Sequence, residues 1–151
     1  MSYENVSINF EIDDAKLISV NDQYMHPVRK TKRGRYVSYF APSPYLKTVQ
    51  AFYKEVLEEK ITDEYIEMFN SALKDKSRGI KLEIIVGTPP EEFNRSDVSN
   101  FIKALEDCIV NRTKIDDSRN FEVSIKKRSY DNEGLWKVHI TLSTVDKEFW
   151  D

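Results

Sequence analysis

Residues 80–86 read Ile-Lys-Leu-Glu-Ile-Ile-Val. Ile80, Leu82, Ile84 and Val86 alternate with Lys81, Glu83 and Ile85. An extended strand turns a period of two into one apolar face. Because Ile85 is apolar too, this strand is expected to be well buried, with Gly87, Thr88, Pro89 and Pro90 ending it. A strand of that kind needs other strands beside it and a layer packed over it.

The rest of the chain supplies both. Val6, Ile8, Phe10 and Ile12 alternate with Ser7, Asn9 and Glu11, and the same period returns in Phe121, Val123 and Ile125 and in Trp136, Val138, Ile140 and Leu142. The last two runs flank residues 130–134, a turn-like Tyr-Asp-Asn-Glu-Gly, and are expected to pair as a hairpin. Shorter strands are expected over residues 16–20 and 36–40. A helix is expected after Ser43, which can cap it, with Pro44 in the first turn. Its apolar stripe is Tyr45, Leu46, Val49, Phe52, Tyr53, Val56 and Leu57. A second helix is expected near 62–75, capped by Thr62, with Tyr65, Ile66, Phe69 and Leu73 facing inward. A third follows residue 99. There is no internal repeat, and no linker long enough to divide the chain. The expectation is one domain over residues 1–151, α+β or α/β in class, with a mixed sheet flanked by helices.

At 151 residues, 40% hydrophobic and 12% aromatic, the chain can bury a substantial core. No apolar run approaches the roughly 20 residues of a membrane helix, and the first ten residues lack the basic-then-apolar order of a signal peptide. A cytoplasmic, soluble protein without membrane partners is expected. Cys108, the lone cysteine, falls on an apolar helix face and reads as a buried thiol. His26 and His139 are too few and too far apart in sequence for a metal pair or a triad, and the Gly-Thr-Pro-Pro segment does not resemble a phosphate-cradling loop.

The third helix is the chemically unusual one. Phe101, Ile102, Leu105, Cys108 and Ile109 share one side of it, while Ser99, Asn100, Lys103, Glu106 and Asp107 share the other. Ser99 is expected to be its N-cap, with Asp97 in the loop just before, and Asp116 and Asp117 follow the helix. Carboxylates in such numbers repel one another unless a cation gathers them or water keeps them apart. A hard divalent ion such as Mg²⁺ takes carboxylate and water oxygens, and an ammonium such as that of Lys103 adds stabilisation to a phosphodiester under attack. In a chain that is 32% charged, the same strip also reads as an ordinary solvated face.

Asp97-Val-Ser-Asn-Phe-Ile-Lys103, with Asp107 four residues on and Asp116-Asp117-Ser118 beyond, resembles the motif of the RusA family of Holliday junction resolvases. That motif runs Asp-x-Asp-Asn, a Lys three residues later, an Asp four residues on, and an Asp-Asp-Ser turn. Residues 19–21, Ser-Val-Asn, before a basic loop and a strand, resemble the family's N-terminal pattern, so the likeness spans about residues 17–128. The helix near 62–75 looks like an addition. The resemblance implies a homodimeric, Mg²⁺-dependent (or Mn²⁺-dependent) endonuclease, often of phage or prophage origin, acting in recombination and repair by symmetrical nicking of four-way DNA. Carried over by position, Asp97 and Asp117 are metal ligands, Lys103 is the catalytic lysine, and Asn100, Asp107 and Asp116 fall on motif positions. Asp116 is an expected extra ligand, with Ser99, Asn100, Glu106 and Asp107 in support.

Ser99 is the departure, since the family pattern has a second aspartate there. A hydroxyl is a poor substitute for a carboxylate on a hard cation. The alternatives are therefore a branched-DNA-binding relative that does not cut, and a small interaction protein.

Arg29, Lys30, Lys32, Arg33 and Arg35 form the densest basic cluster in a chain of net charge −3, and are the expected contacts to DNA phosphates. Tyr36 and Tyr39 can stack on bases, Lys126, Lys127 and Arg128 offer a second patch, and Phe149 and Trp150 are placed either at a dimer interface or as caps on the core.

Overall fold

The computed structural model describes residues 5–18, 24–25, 28–38 and 41–150, with backbone alone at 24–25, 28–29, 37–38 and 41–42. The chain forms one α+β domain. Its order is β1 (Ser7–Asp13), β2 (Tyr24–Met25), β3 (Val28–Lys30), β4 (Tyr36–Ser38), β5 (Ala41–Pro42), α1 (Pro44–Lys60), α2 (Asp63–Ala72), β6 (Arg78–Thr88), α3 (Ile102–Thr113), β7 (Asn120–Ser129) and β8 (Lys137–Asp146).

Four strands make the main sheet, in the order β1-β8-β6-β7. β8 runs antiparallel to both its neighbours, while β7 is parallel to β6 and is reached through α3. The register aligns Ile8, Leu142, Leu82 and Val123 in one row and Phe10, Ile140, Ile84 and Ile125 in the next. This face carries the core: Leu82, Ile84, Val86, Val138 and Ile140 are at most 1% exposed. The opposite face bears Asn9, Thr141, Glu83 and Ser124 in one row and Glu11, His139, Ile85 and Lys126 in another. The alternation read from sequence thus became one dry and one largely polar side.

The expected hairpin does not form, because β6 lies between β7 and β8. β8 has Val138, Ile140 and Leu142 buried and belongs in the interior, whereas β7, with Phe121 and Val123 partly exposed, lies on the edge. The connection at 130–136 reverses the chain while passing across the end of β6, with the Tyr130 amide donating to the Thr88 carbonyl at 2.7 Å and the Leu135 amide to the Asn132 carbonyl at 2.9 Å. Gly87 makes room for it, since a Cβ there would lie 3.0 Å from the Tyr130 Cβ and 3.3 Å from that of Lys137.

Residues 16–18 likewise form no strand. Asp14 adopts φ 48°, the Ala15 amide donates to the Trp136 carbonyl, and the chain leaves the sheet with Ile18 entering the core. Ser19 and Val20 lie outside the described residues, as do Tyr39 and Phe40 of the strand expected at 36–40, which is seen over Tyr36–Ser38.

The first two helices start and bury as expected, except that Tyr45 of the α1 stripe is 49% exposed. Ser43 Oγ accepts from the Leu46 amide at 3.1 Å, Pro44 opens α1, and Leu46, Val49, Tyr53 and Leu57 are buried. Thr62 caps α2. Arg112 of α3 donates to the Ile61 carbonyl at the end of α1 and to Asp63 at 3.1 Å, locking the three helices at one junction. Phe149 and Trp150 do not cap the core: both are exposed, Trp150 fully.

Candidate functional site

The site is assembled from the two ends of α3. After β6 the chain makes a short 3₁₀ turn at Pro90–Glu92, and the loop that follows is held by Lys127. The Lys127 ammonium donates to the Phe93 carbonyl and, at 3.1 Å, to the Ser96 carbonyl, and lies 4.8 Å from the centre of the Phe93 ring. Lys127 is therefore a structural cation on the helix side of β7, not a member of an exposed patch, while Lys126 and Arg128 lie on the opposite face.

Asp97 then caps a 3₁₀ turn, Val98–Phe101, that runs directly into α3. One carboxylate oxygen accepts from the Ser99 amide at 3.2 Å and from the Ser99 hydroxyl at 2.5 Å, and the other accepts from Asn100 Nδ2 at 3.3 Å. Ser99 was expected to cap the helix; α3 itself starts without a side-chain cap, and Asp97 caps the 3₁₀ turn ahead of it. An ionised carboxylate is the stronger acceptor for the free amides at a helix start, and the tight first turn brings residue 99 within its reach.

Along α3, Ala104, Leu105, Cys108 and Ile109 are buried, and Phe101 packs edge-on against Trp136 with 5.9 Å between ring centres. On the polar side the Lys103 ammonium lies 3.0 Å from Asp107, one helical turn on, and 4.0 Å from Asp117, beyond the helix. Both carboxylates raise the Lys103 pKa, Asp107 most. Glu106 is half-buried, and its carboxyl pKa is pushed up first by that burial and then by the negative charge of Asp117.

Asp117 is brought back by a built reversal. Lys114 takes a left-handed conformation, φ 60°, and closes α3. Asp116 caps the 3₁₀ turn Asp117–Arg119 by accepting from the Ser118 amide at 2.8 Å, and that bond holds its carboxyl below the usual range. Arg119 donates to the carbonyls of Leu73 at 3.0 Å, Asp75 at 3.4 Å and Arg78 at 2.5 Å, fastening the turn to the segment between α2 and β6. Sequence reasoning missed these roles of Arg119 and Lys127. The only signal was a cation close to each motif element.

The structure thus joins Lys103, Asp107 and Asp117, with Glu106 coupled to them by charge. Asp97, Ser99 and Asn100 form a second network at the start of the same helix. Among the described residues, no group of three or more His, Cys, Asp or Glu side chains is already set to hold a metal ion. The donors are nonetheless the hard oxygens that a divalent cation takes.

Of the basic cluster, Lys30, Lys32, Arg33 and Arg35 are exposed on a hairpin of β3 and β4; the Arg29 side chain lies outside the described residues, as do His26 and Tyr39. The hairpin turn is closed by the Gly34 amide on the Thr31 carbonyl at 2.9 Å, with Gly34 at φ 80°. Tyr36 is 72% exposed, and the Lys30 ammonium lies 6.0 Å from its ring centre. Cys108 is buried as expected, which pushes its thiol up to about 11 and leaves it unsuited to act as a nucleophile.

No helix among the described residues is long and apolar enough to cross a membrane. No family model matches the chain, and no curated protein matches it.

Proposed function

We propose that this chain is a homodimeric, Mg²⁺-dependent endodeoxyribonuclease of the RusA kind, cutting four-way and other branched DNA by paired hydrolytic nicks in the cytoplasm of a bacterial or phage-infected cell. Mn²⁺ is the expected substitute ion. The observation that supports it most is the return of Asp117 to the Lys103 ammonium, with Asp107 and Glu106 beside them. Helix periodicity alone does not require that return.

Asp97 and Asp117, with Asp116 adjoining, are the residues that would hold the ion. A hard cation supplies neutralisation of phosphoryl charge and an acidified water. Lys103 offers its protons to the non-bridging oxygens as negative charge builds on them. Asp107 holds that ammonium in place and keeps it charged. Water oxygen bonds to phosphorus, the bond from phosphorus to the 3′-oxygen breaks, and the products are a 5′-phosphate and a 3′-hydroxyl. The basic hairpin tracks the phosphate backbone.

One observation favours a second reading, a branched-DNA binder that does not cut. Both oxygens of Asp97 are already engaged by Ser99 and Asn100, and the second family aspartate is replaced by that same serine.

The deciding experiment incubates the protein with a synthetic four-way junction and Mg²⁺ or Mn²⁺. Symmetric paired nicks are expected, reduced about a hundredfold or more by Asp97→Asn or Asp117→Asn with binding retained. A junction that is shifted but never nicked, even by the Ser99→Asp variant, establishes the binder instead.

A further inference from the structure

β7 is an edge strand with an open outer side. Among the described residues it pairs only with β6, and it carries no proline. Its one irregularity is the register shift opposite Ile80 and Lys81, and from Glu122 to Ser129 the ladder is regular. Proteins usually blunt such edges, because a row of unpaired backbone groups is a template for another strand. This edge carries the charges of Glu122, Lys126 and Arg128 and, between and beside them, apolar surface, with Phe121 and Val123 38% and 40% exposed. Beside Phe121 lies a groove of about 620 Å³, lined also by Glu122, Val145, Asp146, Lys147 and Glu148. Phe149 and Trp150, the next residues along the chain, are both exposed. Exposed apolar surface gathered in this way marks an interaction site.

The charge pattern of the strand indicates the occupant. When two copies of a strand pair antiparallel about a two-fold axis perpendicular to the sheet, facing residues lie on the same side of the sheet, so the axis passes through a residue position. With the axis at Ser124, Glu122 faces Lys126 of the second copy twice, and Val123 faces Ile125 twice. Moving the axis to Glu122 or Lys126 sets like charges face to face. Moving it to Val123 sets Phe121 against Ile125 but leaves Glu122 facing Ser124, and moving it to Ile125 sets Glu122 against Arg128 but leaves Lys126 facing Ser124 and Val123 facing Lys127. Only the Ser124 register sets Glu122 against Lys126 and Val123 against Ile125 together, with Phe121 then facing Lys127 at its margin. Both charges are available: Glu122 reaches Lys81 at a loose 3.7 Å, and Lys126 forms no ion pair among the described residues.

We propose that a second copy of this chain docks on the β7 edge in that register, joining two four-stranded sheets into one, with the C-terminal aromatics extending the contact. This deepens the homodimer of the reading above and rests on it only for the expectation that copies pair. It is tested by mass rather than by cleavage, so a monomer that nicks DNA sinks this interface alone, and a dimer that never nicks sinks the nuclease alone.

The test is light scattering after size exclusion, at micromolar protein. The wild type is expected to be a dimer. Glu122→Lys and Lys126→Glu are each expected to weaken association by roughly tenfold or more, because each makes both cross-strand pairs like-charged. Mixing the two variants is expected to restore the dimer. In the mixed pair the lysine introduced at position 122 of one chain faces the glutamate introduced at position 126 of the other, and the unaltered Lys126 of the first faces the unaltered Glu122 of the second. Charge repulsion within one chain is not relieved by mixing, so it does not imitate that result. Should either variant fail to keep the wild-type circular dichroism, the double variant, which carries both exchanges in one chain, takes its place and is expected to be dimeric. A monomeric wild type, a dimer indifferent to both changes, folded variants that stay monomeric when mixed, or a monomeric double variant each overturns the proposal.

Discussion

Glu106 shows how a single carboxyl reports on its surroundings. Burial is the main cost of its ionisation, the negative charges of Asp117 and Asp107 add to it, and Lys103 only partly offsets them. A carboxyl with a folded pKa above its unfolded one binds its proton more tightly in the native state. It therefore detracts from stability at neutral pH, and that loss is recovered as pH falls through the raised value. Glu106→Gln is accordingly expected to raise the melting temperature at pH 7 and to remove part of the stability gained on acidification toward the ordinary carboxyl value of 4.5, measured by thermal melts across that range. A melting temperature at pH 7 that is unchanged or lowered would show that Glu106 is not under electrostatic load. The identity of these residues was legible in the sequence, as was their sharing of one helix side with Lys103. The division of labour between Ser99 and Asp97 was not, because both are good caps and the choice depended on the path of the first turn.

At the scale of the element, the turn carrying Asp117 is held from below by two devices that pattern reading does not reveal. One is Arg119 on three carbonyls. The other is Gly79 on β6, where an added Cβ would lie 2.5 Å from the Phe121 ring and 2.6 Å from the Arg119 carbonyl oxygen. The second of those atoms is backbone and cannot swing aside. Gly79→Ala is thus expected to cost about 1–3 kcal/mol, the usual range for overpacking, and to impair the proposed cleavage by displacing the turn. Urea denaturation and the junction assay check the two effects, and an unperturbed melting curve would count against so close an approach. Helices α1 and α2 needed no such information, because Ser43, Pro44 and Thr62 state where they begin and the apolar stripes state which side is buried.

Across the whole molecule, charge is segregated in a way the net value of −3 conceals. The exposed cations of the β3–β4 hairpin are set apart from the acidic side of α3 in sequence and in chemistry, one suited to phosphate and the other to a cation. Lys32→Glu with Arg33→Glu is expected to weaken junction binding by roughly tenfold or more at about 100 mM salt. It should also flatten the dependence of affinity on salt by about two phosphate contacts, as read by fluorescence anisotropy across a salt series. An unchanged slope would remove the hairpin from the DNA contact.

The sequence by itself determined most of the strands and helices, which side of each is dry, and which side chains have the chemistry for a hard cation and a phosphate, because period and residue type are local properties. Tertiary structure alone decided that β6 separates β7 from β8, that Asp117 returns to Lys103, and that Lys127 serves the loop before Asp97. Strand order and chain reversal depend on contacts between residues far apart in sequence. There the burial of β8 decided which strands pair, although residues 132–135 do form the turn their sequence favours, with the Leu135 amide donating to the Asn132 carbonyl at 2.9 Å.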